Sequence, residues 1–524
     1  MLLVLSRVAR SLAPDPKSKS AFSVGGPLLT TAFWAIFSMF VGALFLTPIL
    51  PFGDYPYHLA LASILRRLLT PGSPEHALYE TNLLTYNSLF HIAVALLAFV
   101  IPVRWAGLVV AASFWLILSL ATIALLRATR QPTSRAIGIF PAFVMMPFTW
   151  GFMNFCIGTA IQLYALARTI GRPRVGAKVS YDLVTAFVVI LGVWSHLLGS
   201  AIVYALAFVA LLVRMHADKD PLLVRFGRTI REGLPYLPAL ALVALIYWRE
   251  EHGPVANGDE PDADLFAIKK VMLFFSISCD FLSNRLDMLR VEIGAALLTV
   301  CAFFRAVRGK DPYPTLRLWL LATAGAIYLI MPASVWATAI LFHRLVLVVY
   351  VLFLVWVPLG IPLVEGLVAW SLAVLGLTAG LGFVYERRAM LPDAKDFEAV
   401  LKAAPPHRSI TGDIRDSSLE GSLQPWGGHL VAFYVAYGGL ESSVNYADKM
   451  SLPVRYKRGF VALDAPRSAR SRYQPTYQYA KRFDLVLIRT APGDGIPAMA
   501  KGAERGRLVA HRGRYWLFDV KGAL

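Results

Sequence analysis

The sequence predicts a polytopic α-helical membrane protein of about ten or eleven transmembrane helices, followed by a small soluble α/β domain at its C-terminus. Three observations support this fold class: 57% of the 524 residues are hydrophobic, only 16% are charged, and the mean hydropathy is +0.58. A soluble globular domain has about 25% charged residues. A chain this apolar must therefore present much of its surface to lipid.

The net charge is +18, and the distribution of the basic residues along the chain distinguishes between nucleic acid and membrane lipids as partners. Most Lys and Arg residues form short clusters between apolar runs, where they anchor loops at anionic lipid headgroups. No RNA-recognition, zinc-finger or helix-turn-helix pattern accompanies them, so we expect membrane lipids and no nucleic acid as partners. Cys156, Cys279 and Cys301 lack a CxxC or histidine partner at metal spacing, which argues against a disulfide framework or a zinc site.

The first apolar run, Pro27 to Leu50, is uncharged and long enough to span a bilayer. It follows a basic segment, residues 1–26, and is too long for a cleaved signal peptide. We therefore interpret it as a signal anchor with the N-terminus in the cytoplasm. The loop after it, residues 51–86, is then expected to face the exterior or periplasm.

Residues 27–389 form the predicted transmembrane domain. Its further apolar runs are Ser88–Val103, Trp105–Leu126, Ala136–Phe148, Trp150–Ala167, Leu183–Val213, Leu234–Tyr247, Ile293–Phe304, Leu316–Met331, Val335–Trp356 and Pro362–Val384. Leu183–Val213 is either one tilted helix or two pieces around His196. If every run crosses once, Arg127, Arg130 and Arg135 lie outside, against the positive-inside tendency. Either one run is re-entrant, or these arginines bind an anion.

Residues 390–524 form the predicted soluble domain, because charged and turn residues return there and the apolar runs shorten to strand length. Phe397–Ala404 reads as a helix and Phe483–Ile488 as a buried strand. The apolar residues on either side of Arg512 and Gly513 indicate a hairpin. We expect this domain to be extracytoplasmic.

The segment Gly53-Asp54-Tyr55-Pro56-Tyr57-His58 is the most informative stretch for function. Apolar residues recur after it at helical spacing, which predicts an amphipathic helix along the membrane surface. Asp54 lies one helical turn before His58, so their side chains can share a face. An Asp before a helix with proline in its first turn is also a good N-cap, and the spacing leaves capping and chemistry both open.

This segment, after a first transmembrane helix and before an amphipathic helix, resembles the first external loop of the GT-C superfamily of membrane glycosyltransferases. The resemblance implies a polyprenyl-phosphate sugar as donor, a lipid, glycan or protein as acceptor, and inversion at the anomeric carbon. It also implies that Asp54 is the catalytic base and that His58 positions the acceptor or the base. Many members have two acidic residues here, whereas this chain has Asp54 alone. One carboxylate is a poor divalent-metal site, so we expect no cofactor.

Substrate binding is assigned to five further residues: Tyr57, Arg66, His196, His343 and Arg344. Arg344 is the favoured phosphate ligand because it is an ionisable residue within an apolar run, although snorkelling to an interface explains it equally well. His196, like His91 and Asn154, is also explained by hydrogen bonding or close packing between helices. The acidic loop Arg249–Lys270 is interpreted as a solvated charge run, with the completion of a site over the membrane as the alternative.

Two other classes of function remain open. A transporter or lipid flippase accounts for buried His and Arg residues, but the chain shows no internal repeat. A non-catalytic membrane subunit of a polysaccharide assembly system accounts for Asp54 as a helix cap. The Ala- and Arg-rich composition favours a bacterial inner membrane as the location.

Overall fold

The structure is a computed structural model that describes residues 24, 26–173, 178–249, 314–331, 334–335, 338–339, 341–356, 362–414, 429–443, 452–457, 482–491 and 506–521. The predicted cytoplasmic segment up to residue 23, the acidic loop beyond Arg249 and the apolar run Ile293–Phe304 lie outside the described residues, as do Cys279 and Cys301.

Most of the described chain is a bundle of helices. The first six are α1 (Pro27–Leu44), α2 (Tyr55–Leu68), α3 (Leu89–Leu97), α4 (Val103–Ala128), α5 (Met146–Thr149) and α6 (Met153–Ile170). The next seven are α7 (Val179–Ser195), α8 (Leu197–Ala217), α9 (Leu222–Gly233), α10 (Leu237–Arg249), α11 (Pro314–Ile330), α12 (Leu341–Trp356) and α13 (Pro362–Ala389). Short 3-10 helices lie at Pro74–Ala77, Thr133–Val144 and Leu234–Tyr236.

Five helical segments within the described residues are long and apolar enough to cross a membrane: Pro27–Leu44, Val103–Ala128, Leu197–Ala217, Leu222–Arg249 and Gly366–Ala389. Three shorter apolar helices accompany them, namely Val179–Ser195, Thr315–Ile330 and His343–Trp356. The chain is therefore an integral, multi-pass membrane protein, as the composition predicts.

The apolar run Ser88–Val103 is one of the runs that could cross the membrane, but the helix that it forms is too short to do so. Its helix, α3, has nine residues and is about 14 Å long, whereas the hydrocarbon core is about 30 Å thick. The next helix, α4, begins on the same side, because Arg104 near its start forms an ion pair with Glu398 of the C-terminal part at 3.2 Å. The chain therefore dips at this point and returns, which supports the re-entrant alternative.

This dip accounts for the arginines that follow α4. Helix α4 has 26 residues, about 39 Å, so it carries the chain from the Asp54 end of the bundle to the opposite end. Gly171, just after α6, lies beside Ala128 at the end of α4, which places the basic loop after α6 at that opposite end as well. Arg127, Arg130 and Arg135 thus share an end with Arg168, as the positive-inside rule predicts.

The long apolar run Leu183–Val213 is two helices. Between α7 and α8, His196 has an extended backbone, with φ −163° and ψ 122°, which ends the first helix and begins the second. The break places His196 at the Asp54 end of the bundle, where Ser195 Oγ donates to the backbone oxygen of Asn154 at 2.8 Å.

Helix α2 is amphipathic, but it packs between two parts of the protein instead of lying open on the membrane surface. Its polar and apolar faces are both largely buried. One side packs on α3 and α4, and the other packs on the C-terminal 3-10 helix Leu430–Ala432 and on α15, which spans Phe433–Ala436. Arg67 fixes this arrangement by donating to the backbone oxygens of Val435 and Gly439 at 3.0 Å.

The C-terminal part contains α14 (Leu391–Ala403) and a five-stranded sheet of β4 (Ser409–Ile414), β5 (Glu441–Ser442), β7 (Leu485–Arg489), β8 (Arg507–Arg512) and β9 (Tyr515–Asp519). The strand order is β5-β4-β7-β9-β8, with β4 parallel to β5 and β7, and β9 antiparallel to both of its neighbours. The predicted helix, buried strand and hairpin are thus all present. Within the bundle, β2 (Ser334–Val335) and β3 (Thr338–Ala339) pair before α12.

One strand pairing attaches the C-terminal part to the loop after α1, and one arginine of α13 holds the chain just after α1. Strand β1 (Tyr79–Thr81) of that loop pairs antiparallel with β6 (Val454–Tyr456). Arg387, at the end of α13, is fully buried and donates to the backbone oxygens of Thr47 at 3.0 Å and Ile49 at 3.1 Å. These oxygens follow the C-terminus of α1, where backbone carbonyls lack helical partners. The chain is therefore held in place both before Asp54, at Thr47 and Ile49, and after α2, at strand β1.

Candidate functional site

Asp54 lies where two backbone segments touch without side chains between them. Its N–H donates to the backbone oxygen of Trp150 at 2.8 Å. A Cβ on Gly53 would lie 2.5 Å from that same oxygen, and a Cβ on Gly151 would lie 2.9 Å from the Asp54 nitrogen. Gly151 also has φ +81°, a conformation that favours glycine. The two glycines therefore permit the close approach that fixes the Asp54 backbone.

The Asp54 carboxylate does not cap α2. Asp54 occupies the N-cap position, but its side chain makes no capping hydrogen bond. Its Oδ1 instead lies 3.2 Å from Nδ1 of His429, and 27% of its side chain is exposed. Asp54 therefore does not act as a helix cap, and its carboxylate is partly exposed to solvent beside a histidine.

His429 is a site residue that the sequence did not predict. It lies just before the 3-10 helix Leu430–Ala432, and 9% of its side chain is exposed. Tyr57 contacts it edge to face, with ring centroids 6.0 Å apart, and packs on His58 at 4.2 Å. The C-terminal part thus supplies a histidine to a carboxylate of the loop after α1, and no local sequence pattern marks that pairing.

His58 is buried and belongs to a chain of hydrogen bonds that leads away from Asp54. Its Nδ1 lies 2.9 Å from Nε2 of His91, and Nδ1 of His91 lies 2.8 Å from the backbone oxygen of Asn87. Asn154 supports this chain, because its Oδ1 accepts the Phe90 N–H at 2.9 Å. From sequence, His91 and Asn154 are explained by hydrogen bonding or close packing between helices; in the structure His91 contacts His58, and Asn154 contacts His91.

Arg344 reaches the same region from α12. Its guanidinium lies over the ring of Phe152, with Cζ 3.8 Å from the ring centroid, and its Nη1 lies 3.4 Å from Nε2 of His196. Asp54 is close enough to attract this guanidinium electrostatically. Arg344 is 9% exposed, so it does not snorkel into open solvent. The predicted residues Arg344 and His196 are therefore brought together near Asp54.

Two predicted binding residues are not brought into this cluster. Arg66 lies twelve positions after Asp54, about 18 Å along α2, and its guanidinium lies over Phe99 with Cζ 5.7 Å from the ring centroid. His343 precedes Arg344 at the start of α12. Successive residues of an α-helix point about 100° apart, so the His343 and Arg344 side chains face different directions.

The cluster has a defined charge distribution. Burial, followed by the nearby charges of His91, Arg344, His429 and His196, lowers the pKa of His58 well below its usual value of 6.5. The His58 imidazole is therefore neutral at physiological pH. One carboxylate and one neutral imidazole thus lie near one guanidinium, which suits proton acceptance beside an anion-binding group. Within the described residues, no group of three or more His, Cys, Asp or Glu side chains is arranged to hold a metal ion.

No protein-family model matches the chain, and no curated protein matches its sequence. Among solved structures, the chain is similar to ArnT from Cupriavidus metallidurans in the apo state, with a TM-score of 0.54. The likeness covers 94% of this chain and 97% of that chain. The sequences are 11% identical, so the comparison shows the fold alone, and that fold is GT-C-like.

Proposed function

We propose that this protein is a membrane glycosyltransferase that transfers a sugar from a polyprenyl-phosphate carrier to a hydroxyl of a lipid, glycan or protein. The observation that carries the proposal is the Asp54 carboxylate, which is free of helix capping and lies beside His429 and Arg344 at one end of the bundle. The GT-C-like fold supports it, because ArnT is a glycosyltransferase of the GT-C family.

The reaction requires one base and one group that stabilises a phosphate. Asp54 accepts the proton of the acceptor hydroxyl as its oxygen attacks the anomeric carbon. The bond between that carbon and the phosphate oxygen breaks, and polyprenyl phosphate leaves with the electron pair. Attack opposite the leaving group inverts the anomeric carbon. A positioned carboxylate base contributes about 10²–10⁴-fold to such a step.

Arg344 is the proposed ligand of the phosphate. A guanidinium matches phosphate geometry with two parallel N–H donors, and a site with little exposure strengthens its interaction with the departing charge. Phe152 holds the guanidinium plane from one side, and His196 lies beside Nη1. Tyr57 lies against His58 and His429 and forms a wall for the sugar.

We further propose that the reaction is independent of a divalent metal, because Asp54 has His429 and Arg344 as neighbours, and no group of three or more His, Cys, Asp or Glu side chains in the part of the chain that the structure describes is arranged to hold a metal ion. We also propose that the site faces outward from a bacterial inner membrane. The basic residues at the opposite end of the bundle support this orientation by the positive-inside rule.

Sugar transfer in proteoliposomes tests the proposed function. Wild type, Asp54→Asn and Asp220→Asn are given a panel of labelled polyprenyl-phosphate sugars with lipid extract as acceptor. Asp220 is a matched control, because its partly exposed carboxylate pairs with Arg228 in the turn after α8, at the opposite end. We expect transfer by wild type and Asp220→Asn and its loss in folded Asp54→Asn.

Two other outcomes of this experiment distinguish an error in the assigned base from an error in the proposed function. Transfer that persists in Asp54→Asn keeps the glycosyltransferase and rejects Asp54 as its base. If no donor is consumed by wild type under any acceptor condition, the transporter or assembly-subunit functions are favoured instead.

A further inference from the structure

Two buried histidines and a backbone carbonyl form a directional chain next to Asp54. His58 is 5% exposed and His91 is fully buried. The chain runs from His58 Nδ1 to His91 Nε2 at 2.9 Å, and from His91 Nδ1 to the Asn87 oxygen at 2.8 Å. Because the last atom is a carbonyl oxygen, it can only accept a hydrogen bond.

That carbonyl fixes the hydrogen positions of both rings. His91 Nδ1 must carry the hydrogen that the Asn87 oxygen accepts, so Nε2 of a neutral His91 has a lone pair. His58 Nδ1 must then donate to it, which leaves the lone pair of His58 on Nε2. Asn154 Nδ2 lies 3.3 Å from His91 Nδ1 and could donate to that nitrogen if it carried no hydrogen. In that case, however, the lone pair of His91 Nδ1 would face a lone pair of the Asn87 oxygen at 2.8 Å, which is repulsive.

The neutral state of both rings follows from their surroundings. Burial disfavours a charged imidazole at both His58 and His91, and for His58 the nearby charges of His91, Arg344, His429 and His196 add to this effect. Tyr57 and Asp54 adjoin the same face of the site. His58 Nε2 makes no hydrogen bond within the described part of the chain, so it is available to a ligand.

The backbone conformation of Asn87 directs its carbonyl oxygen towards His91. Asn87 has φ +58°, in the left-handed region that Asn tolerates better than most residues and that β-branched residues avoid. The next residue, Ser88, holds the turn, because its N–H donates to the Trp194 oxygen at 3.1 Å and its Oγ to the Thr85 oxygen at 3.0 Å. Ser88 thus holds Asn87 in an uncommon conformation, and such conformations cluster at functional sites.

We propose that His91 and Asn87 are positioning residues that hold His58 as a neutral hydrogen-bond acceptor, with Nε2 directed to a hydroxyl of the substrate. The inference rests on the proposed glycosyltransferase function and deepens it. Asp54 accepts the proton of the acceptor hydroxyl in the proposed reaction, and His58 Nε2 is then a second acceptor that a hydroxyl of the sugar can bind.

Nitrogen NMR of the full-length protein tests the tautomer directly. The protein is labelled with ¹⁵N in its histidine rings and studied in detergent, with the His58 signals identified by their loss in His58→Gln. We expect His58 to have a protonated Nδ1 and a bare Nε2, and to remain neutral from about pH 8 to about pH 5.5. A protonated Nε2, or an imidazolium near pH 7, overturns the inference.

Two matched pairs of variants test the positioning role. His91→Gln retains an amide oxygen near the Nε2 position that can accept from His58 Nδ1, whereas His91→Leu retains no acceptor. Asn87→Gly tolerates positive φ, whereas Asn87→Val does not. We expect His91→Leu and Asn87→Val to give mixed His58 tautomers and a KM for the sugar substrate about tenfold higher, with a smaller change in kcat. His91→Gln and Asn87→Gly should recover most of this loss.

The two arms separate the inference from the function on which it rests. If wild type transfers no sugar from any donor, the proposed function fails, and the NMR arm still decides whether His58 is the fixed acceptor. If transfer is robust but the tautomer is unchanged in folded His91→Leu, the positioning role of His91 is wrong and the glycosyltransferase stands. Equal loss of thermal stability and activity across all four variants also contradicts the positioning role.

Discussion

Gly53→Ala is the sharpest steric perturbation of this site, because it changes no functional group and requires no unusual backbone conformation. The new Cβ would lie 2.5 Å from the Trp150 oxygen, whereas ordinary carbon contacts begin at about 3.5 Å. The two backbones must therefore separate by about 1 Å. The Asp54 N–H to Trp150 oxygen bond, now 2.8 Å, then exceeds hydrogen-bonding distance.

A displacement of this size costs more in rate than in stability. Misplacement of a reacting group by about 1 Å lowers the rate about 10²-fold, whereas loss of one backbone hydrogen bond destabilises the fold by about 1 kcal/mol. We expect sugar transfer in proteoliposomes to fall about 100-fold, with a melting temperature only a few degrees lower.

Gly42→Ala is the matched control for this prediction. A Cβ on Gly42, within α1, meets nothing within 4 Å, and alanine is the better helix former. We expect this variant to transfer sugar as wild type does. Wild-type transfer by Gly53→Ala, or a loss of rate no larger than its loss of folded protein, would refute the close-approach argument.

Three further predictions follow from the burial, charge and sidedness of the site. His58 is neutral in the folded protein, whereas a histidine exposed in the unfolded chain has a pKa near 6.5. The unfolded state therefore binds an extra proton below that pH, so the free energy of unfolding falls by up to about 1.4 kcal/mol for each unit by which the pH is lowered. Melting temperatures measured from pH 8 to pH 5 should fall less steeply in His58→Gln, and identical slopes would contradict this. Transfer should persist in excess EDTA, and its abolition with rescue by Mg²⁺ or Mn²⁺ would reveal a metal requirement. In a cysteine-free background, an impermeant maleimide should label Lys402→Cys on intact cells and Asp220→Cys only after permeabilisation; the reverse pattern would invert the topology.

Much of the membrane fold could be predicted because lipid leaves a strong signal in composition. The apolar run Trp105–Leu126, for example, corresponds to the long helix α4 within two residues at each end. Hydropathy could not distinguish a crossing from the dip at α3, because both are equally apolar. That distinction depends on where Arg104 finds its partner, which is a tertiary contact with Glu398.

The candidate site could be predicted where its residues are local in the chain, or where an ionisable residue such as Arg344 or His196 interrupts an apolar run. Asp54, Tyr57 and His58 occur in one short segment, and helical spacing is enough to place them together. His429 is remote in sequence and lies beside Asp54 only because the C-terminal part packs on α2. Likewise, the role of Asn87 depends on a positive φ that its sequence neighbours do not announce.

The most direct test of the Asp54 and His429 assignment is a double-mutant cycle on sugar transfer. Rates from the best polyprenyl-phosphate donor are measured for wild type, Asp54→Asn, His429→Gln and the double variant. If the two side chains act as one unit, each single variant loses most of the rate, and the double variant is no worse than Asp54→Asn alone. Losses that multiply in the double variant, or wild-type rates in His429→Gln, would contradict the assignment.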